Sequence, residues 1–212
     1  MAKEEIVLIG GGGHCKSVID VIETEDKFCI AGVIDTKEKL GHIISGYEFI
    51  GTDDDLINLV KEYQYFLITV GQIKNSRIRF YLYEKLKKLK VTLPVIVSPK
   101  AYIARTSTID EGTVVMHNSF VNAAVKVGVN SIINTSAIIE HDSLVGDHSH
   151  ISTGAVINGD CRVGNHCFIG SNAVVLNGIT IQDNVIVGAG SVVRTNLEEN
   201  KIFFGNPAKQ KI

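Results

Sequence analysis

The stretch SIINTSAIIEHDSLVGDHSHISTGAVINGD, residues 131–160, decides the fold. Read in sixes, it sets Ile133, Ile139, Val145, Ile151 and Ile157 at one place and Ser131, Ala137, Ser143, Ser149 and Ala155 four places on. Followed outward, the first place is isoleucine or valine at every sixth residue from Ile103 to Val193, and the second is small or aliphatic from Ser107 to Ser191. A strict six-residue period is the mark of a parallel β-helix. Each hexad forms one side of a triangular coil, with the branched residue pointing inward and the small residue letting the chain turn. The tract is long enough for about five coils of eighteen residues.

Residues 1–98 follow another rhythm. Ile6–Ile9 reads as a strand ending in Gly10-Gly11-Gly12-Gly13, and Val18, Ile19 and Ile22 fall at helical spacing. Phe28–Ile34 reads as a strand ending at Asp35. Thr52, with Asp55 three residues on, caps a helix through about Tyr63. Tyr65–Val70 is a third strand, Asn75–Leu89 a helix with Arg and Lys on its solvent side, and Val91–Val97 a fourth strand. Strands alternating with helices predict a small Rossmann-like parallel sheet. The expected organisation is an α/β domain over 1–98 and a parallel β-helix of hexad repeats over 99–212.

Composition narrows the function. A formal net charge of −2, 45% hydrophobic residues and no long charged run exclude a nucleic-acid or membrane partner. The N-terminal apolar run is too short for a secretory signal, which points to the cytoplasm. Cys15, Cys29, Cys161 and Cys167 lack CxxC pairing and read as reduced, buried thiols.

Chemistry concentrates in two places. In the hexad from Ile139, the inward places belong to Ile139 and Ser143, so His141 points outward between Glu140 and Asp142. Such a carboxylate partner fixes a histidine's tautomer and raises its basicity, the arrangement of a general base. His148 and His150 also point outward, and His148 reads as part of a solvated face. His148-Ser149-His150 with Asp147 resembles a metal pair, but Ser149 turns the coil between them and no third ligand is in reach, so no metal is expected. The second place is the glycine loop. After a strand and before a helix, its N–H groups and the helix N-terminus can cradle phosphate. Counted from Gly10, however, the third glycine of a dinucleotide fingerprint is Cys15, so an NAD site is not expected. A nucleotide-sugar diphosphate fits better, with Gly12, Gly13 and His14 at the phosphates and Asp35 accepting from ribose or base. Lys74 and Arg77 are second choices for added charge.

The head carrying GGGGHCKSVIDV, the block from Ile133 to Asp160 and the ending GNPAK together resemble bacterial sugar acetyltransferases of the hexapeptide (left-handed β-helix) family, of the sialic-acid O-acetyltransferase type. The similarity is greatest to UDP-4-amino-sugar N-acetyltransferases. It covers essentially the whole chain. It implies a homotrimer with acetyl-CoA in the groove between subunits, His141 as catalytic base and Asp142, where relatives have Glu, as the acid tuning it. It further implies His150 at the thioester end of coenzyme A, the Gly159 N–H facing the thioester carbonyl, and Asn134 and Glu140 near the same site. His141 and His150 are half a coil apart, so they meet only across a subunit boundary. The expected reaction is direct transfer of acetyl to the amino group of a nucleotide-linked 4-amino sugar. An O-acetyltransferase of sialic-acid-like sugars and a non-catalytic trimeric β-helix are the rival readings.

Overall fold

The computed structural model describes residues 3–211. The N-terminal unit begins with β1 (Glu4–Ile9), α1 (Gly13–Glu25) and β2 (Phe28–Ile34). Next come a short hairpin of β3 (Ile43–Ile44) and β4 (Tyr47–Gly51), then α2 (Leu56–Leu59), β5 (Tyr65–Ile68) and α3 (Arg77–Lys88). The sheet order is β3-β4-β2-β1-β5, parallel except for the β3–β4 pair. Alternation of strand and helix therefore gives the expected parallel sheet, with three differences in detail. The β3–β4 hairpin supplies the extra edge strands. The helix after Thr52 is only one turn long, although Asp55 accepts from both the N–H and the hydroxyl of Thr52 at 2.8 Å. Val91–Val97 is not a strand of this sheet: Thr92 makes one bridge to Tyr65, and β6 (Ile96–Val97) pairs instead with Val114–Val115 of the β-helix.

From β6 onward, two-residue strands recur every six residues and pair in parallel with partners eighteen residues away, such as Phe120 with Ile138 and Ile132 with His150. They stack into three sheets, the faces of a left-handed β-helix. The inward places are the core: Val115, Val121, Ile133, Ile139, Ile151, Ile157 and Ile169 are fully buried. The small places are buried too, but they do not make the corners. Every sixth residue from Gly112 to Gly190 has a positive φ, and it sits just before the small residue. Asn, Asp, Gly and His hold most of these places, the residue types that tolerate the left-handed region best. Asp142 (φ 60°) and His148 (φ 54°) are two such corners.

The three faces differ outwardly. On the first, Tyr102, Phe120, Ile138, Val156, Val174 and Val192 form an apolar stripe, with the Tyr102 and Phe120 rings stacked 5.1 Å apart. The second presents Thr108, Lys126, Leu144, Arg162 and Thr180. The third, which begins with β6, is covered by the N-terminal unit: Val18, Val21 and Ile22 of α1 pack with Ile96, Val114 and Met116. A polar tie reinforces the seam, with His117 bonded through one ring nitrogen to Ser98 (2.5 Å) and through the other to Asp20 of α1 (2.7 Å). Cys15, Cys161 and Cys167 are buried as expected, but Cys29 is exposed because its side chain leaves β2 on the solvent side. No helix among the described residues is long and apolar enough to cross a membrane.

Candidate functional site

The C-terminal ends of β1, β2 and β5 open on a cleft of about 490 Å³. Its floor is Ile9, Ile34 and Val70, with Ile78 and Leu82 of α3 as one wall and Thr36, Lys37, Thr52 and Asp53 at the rim. The four glycines of the loop divide by role. A side chain on Gly10 would collide with Val70 and one on Gly11 with Phe49, so these two are required by packing. Gly12 and Gly13 would meet nothing within 4 Å. They face open space, where a ligand could approach the backbone. Gly12 also begins α1 with no side-chain cap, so the first N–H groups of that helix keep their capacity to bind an anion.

Asp35 lies at the cleft, but its oxygens are already engaged. Oδ2 accepts from the Gly11 N–H (2.6 Å) and from Lys39 (2.8 Å), and Oδ1 accepts from the Thr36 N–H (2.7 Å). Burial pushes its carboxyl up, and the Lys39, Thr36 and Gly11 donors more than reverse this, leaving it below the usual value. Asp35 therefore pins the glycine loop before any ligand arrives, and its remaining accepting capacity faces the cleft it lines.

A second cavity of about 760 Å³ continues from the first along the seam between the two units. Gly12, Gly13, His14 and Lys74 line it from one side, and Asn134, Thr135, His150 and Thr153 from the β-helix. Gly12 and Gly71 line both cavities. Arg77 lines neither and is exposed. His150 is buried by the chain after β5. Its Nδ1 donates to the Gln72 carbonyl (2.6 Å), and its Nε2 accepts from Asn134 Nδ2 (2.9 Å). A carbonyl can only accept, so His150 is the Nδ1–H tautomer with an acceptor at Nε2. Burial, and then the Arg79 charge, hold its pKa at about 4. His14 is similar: burial, then Arg79 and His150, press its pKa to about 3, and its Nε2 has no partner.

His148 is not on a solvated face. It is 5% exposed, stacked on His166 at 5.0 Å, met edge-on by Phe80 and Tyr83, and bonded to Asn130. It does point out of the β-helix, but α3 lies across that corner. Burial and the neighbouring His166 lower its pKa to about 4. With His148 facing α3 and His150 facing Gln72, the two rings serve separate partners. Among the described residues no three His, Cys, Asp or Glu side chains are grouped to hold a metal.

His141 stands at the opposite edge of the first face, where that face turns into the second. It is exposed, and its Nδ1 donates to Asp142 Oδ2 at 2.8 Å. The left-handed corner at Asp142 turns its short side chain back onto the ring next to it. Nε2 is thereby left free to accept, and the Asp142 hydrogen bond, aided by the Asp142 and Glu140 charges, raises the pKa above 6.5. Glu140 is itself held by Asn122 Nδ2 (2.5 Å). Gly159, one coil on, lies under the ring: a side chain there would come within 2.7 Å of His141 Cε1 and Nε2. His141 and Gly159 thus form one group, and Asn134 belongs with His150 in the other. The residue missed by sequence reasoning is Arg79, fully buried at the seam on the α3 stripe of Arg79, Leu82, Tyr83 and Leu86. An arginine at an apolar place of that spacing was the available signal.

The buried neutral histidines predict acid sensitivity. Their ordinary pKa of 6.5 is lowered to about 3 for His14 and about 4 for His148 and His150. The unfolded chain therefore binds more protons below 6.5, and stability present above that pH is lost as pH falls toward 4. Thermal melts across that window should show a steep decline that His148→Gln partly flattens. A flat melting temperature would contradict the burial described.

Comparison with known proteins places these features in a family. Residues 5–86 match the PglD N-terminal domain, and residues 160–195 match the bacterial transferase hexapeptide (six repeats). No curated protein matches the chain. A histidine variant of perosamine N-acetyltransferase from Caulobacter crescentus, in complex with CoA and GDP-perosamine, is 30% identical, with a TM-score of 0.93 over 99% of this chain and 98% of that one. The acetyltransferase domain of PglB from Neisseria gonorrhoeae, in complex with acetyl coenzyme A, is also 30% identical, with a TM-score of 0.90 over 99% of this chain and all of that one (100%). WeeI from Acinetobacter baumannii, at 24% identity and a TM-score of 0.86, shares the fold. Alike from end to end to enzymes of one kind, the chain belongs to the hexapeptide-repeat sugar acetyltransferases and is an acetyl-CoA-dependent acyltransferase.

Proposed function

We propose that the protein acetylates the amino group of a nucleotide-linked 4-amino sugar, with His141 as general base. The observation that carries this reading is the continuity of the two cavities through Gly12 and Gly71. One trough runs from an apolar slot suited to a base and ribose, past open glycine N–H groups suited to a diphosphate, to Asn134 and His150 on the β-helix. In this division of labour, residues 1–98 hold the nucleotide and residues 99–212 carry out acyl transfer. The GDP-perosamine and CoA bound together by the perosamine enzyme support the same pairing of ligands here.

The trough ends on the edge shared by the third and first faces, and His141 stands on the edge shared by the first and second. The apolar first face lies between them. Burying that stripe against two further copies around a threefold axis sets one copy's His141 edge against the next copy's His150 edge, so a homotrimer completes the site. A groove between copies then receives acetyl-CoA. The acceptor's ammonium first sheds one proton to solvent, and the resulting amine must lose a second as its nitrogen attacks the thioester carbonyl. His141 Nε2 takes that second proton, Asp142 steadies the imidazolium, and the Gly159 N–H, which has no acceptor among the described residues, stabilises the oxyanion. The adduct then collapses to the amide as the C–S bond breaks, and the departing coenzyme A thiolate receives the proton held by His141. His150, held neutral with its Nε2 accepting from Asn134, orients that side chain and the bound groups. Cys161 and Cys167 are buried with thiols pushed up in pKa, so neither is a nucleophile and transfer is direct.

The experiment is consumption of acetyl-CoA with a panel of UDP- and GDP-linked 4-amino sugars beside free sialic acids. Turnover restricted to the free sialic acids would replace this reading with O-acetylation. Activity should rise with pH as His141 deprotonates, with an acid-limb pKa above 6.5. Asp142→Asn should move that limb to lower pH. His141→Ala should lower turnover by about 10² to 10⁴ while leaving acetyl-CoA binding nearly unchanged. An unshifted limb in Asp142→Asn would remove the tuning role. Sedimentation should give a trimer of 23.0 kDa chains, and Val156→Asp in the apolar stripe should yield inactive monomers. Monomers with full activity would contradict the shared site.

A further inference from the structure

The seam holds a buried positive charge with no negative partner. Arg79 is 1% exposed. Its Nη1 donates to the carbonyls of Ile68 (2.9 Å) and Val70 (2.7 Å), and its Nη2 to the carbonyl and side-chain oxygen of Asn130 (2.9 and 2.6 Å). All four acceptors are neutral, and the titratable groups around it, His14, His148 and His150, are uncharged. Burying a guanidinium without a carboxylate is costly, and carbonyl dipoles offset that cost only in part. Burial lowers its pKa only to about 9, so it stays charged at neutral pH.

The direction of these hydrogen bonds matters. The Val70 carbonyl turns toward Arg79. The Val70–Gly71 peptide is trans, so the Gly71 N–H points the opposite way, away from Arg79. Gly71 lines both the cleft and the seam cavity, and its N–H has no acceptor among the described residues. Hydrogen bonding to the carbonyl of a peptide polarises the N–H of the same unit, the more so where water is excluded. A side chain on Gly71 would only touch His14 Cβ at 3.5 Å, so close packing does not account for the open donor.

We propose that the Gly71 N–H is a binding donor for the diphosphate of the nucleotide-linked acceptor, and that Arg79 is the positioning residue that orients and polarises it from behind. This rests on the nucleotide reading above. The substrate then supplies the negative charge that the seam lacks, and the two N–H groups at Gly12 and Gly13 share the same anion.

Calorimetry on the full-length protein with UDP, GDP, uridine and guanosine tests it. Wild type should bind one of the diphosphates. Arg79→Met should weaken that binding at least about tenfold, the scale of a charge-assisted hydrogen bond. Nucleoside binding and the acetyl-CoA KM should stay at the wild-type level, and Arg79→Lys, which keeps the charge, should recover part of the loss. Equal diphosphate affinity in wild type and Arg79→Met, or equal losses for nucleoside and diphosphate, overturns the Arg79 role alone. Wild type that binds neither diphosphate overturns the nucleotide reading together with it. If Arg79→Met does not fold, the wild type decides by NMR. The Gly71 amide resonance should move with the diphosphate and not with the nucleoside, and an unmoved resonance overturns the proposal.

Discussion

The constraint on which the structure depends is the corner. At every sixth residue from Gly112 to Gly190 the backbone enters the left-handed region and the chain turns onto the next face. Without that turn the inward isoleucines and valines could not converge on one axis, and partners eighteen residues apart could not pair. The corners also carry chemistry, because a residue with positive φ holds its side chain outward at a fixed angle. Asp142 bonds the His141 ring from such a position, and His148 and Asn130 anchor α3 from two others.

Flat faces follow from regular corners, and each face has a different fate. The third is covered by the α/β unit, which brings the glycine loop to His150. The first is apolar, and the proposed homotrimer buries it. In the proposed function, acceptor and donor chemistry divide along the edges of one prism, and a neighbouring copy joins the two halves. The electrostatics divide in the same way. His141 is exposed with an acid beside it and a raised pKa, as a proton acceptor needs. His150 is buried near Arg79 with a lowered pKa, as a neutral binding group needs.

What could be read from the sequence was whatever recurs. The inward places from Ile103 to Val193, the outward direction of His141 and its acid neighbour all follow from counting in sixes. The strand–glycine–helix opening was equally plain, because Gly10–Gly13 interrupts two strong patterns. Features set by contact between the two units were not legible. His148 looked solvated because nothing in its hexad says that α3 crosses that corner. The bonds that hold Asp35 were not legible, because Gly11 and Lys39 reach its carboxylate only when the loop closes. β6 read as a strand of the first sheet, since an apolar run does not name its partner. Arg79 lay within reach of sequence reasoning, on the buried stripe of α3, but a helix rich in Arg and Lys hid it.

The central claim is that one active site is built from two chains, and mixed oligomers test it most directly. His141→Ala removes the proposed base, and Gly12→Val fills the open space before the glycine loop. Each alone should be nearly inactive. Co-expressed and purified as mixed trimers, they should regain substantial acetyltransferase activity, because some sites pair the intact His141 of one chain with the intact glycine loop of its neighbour. Activity no greater than the sum of the two variants measured separately would contradict a site shared between chains.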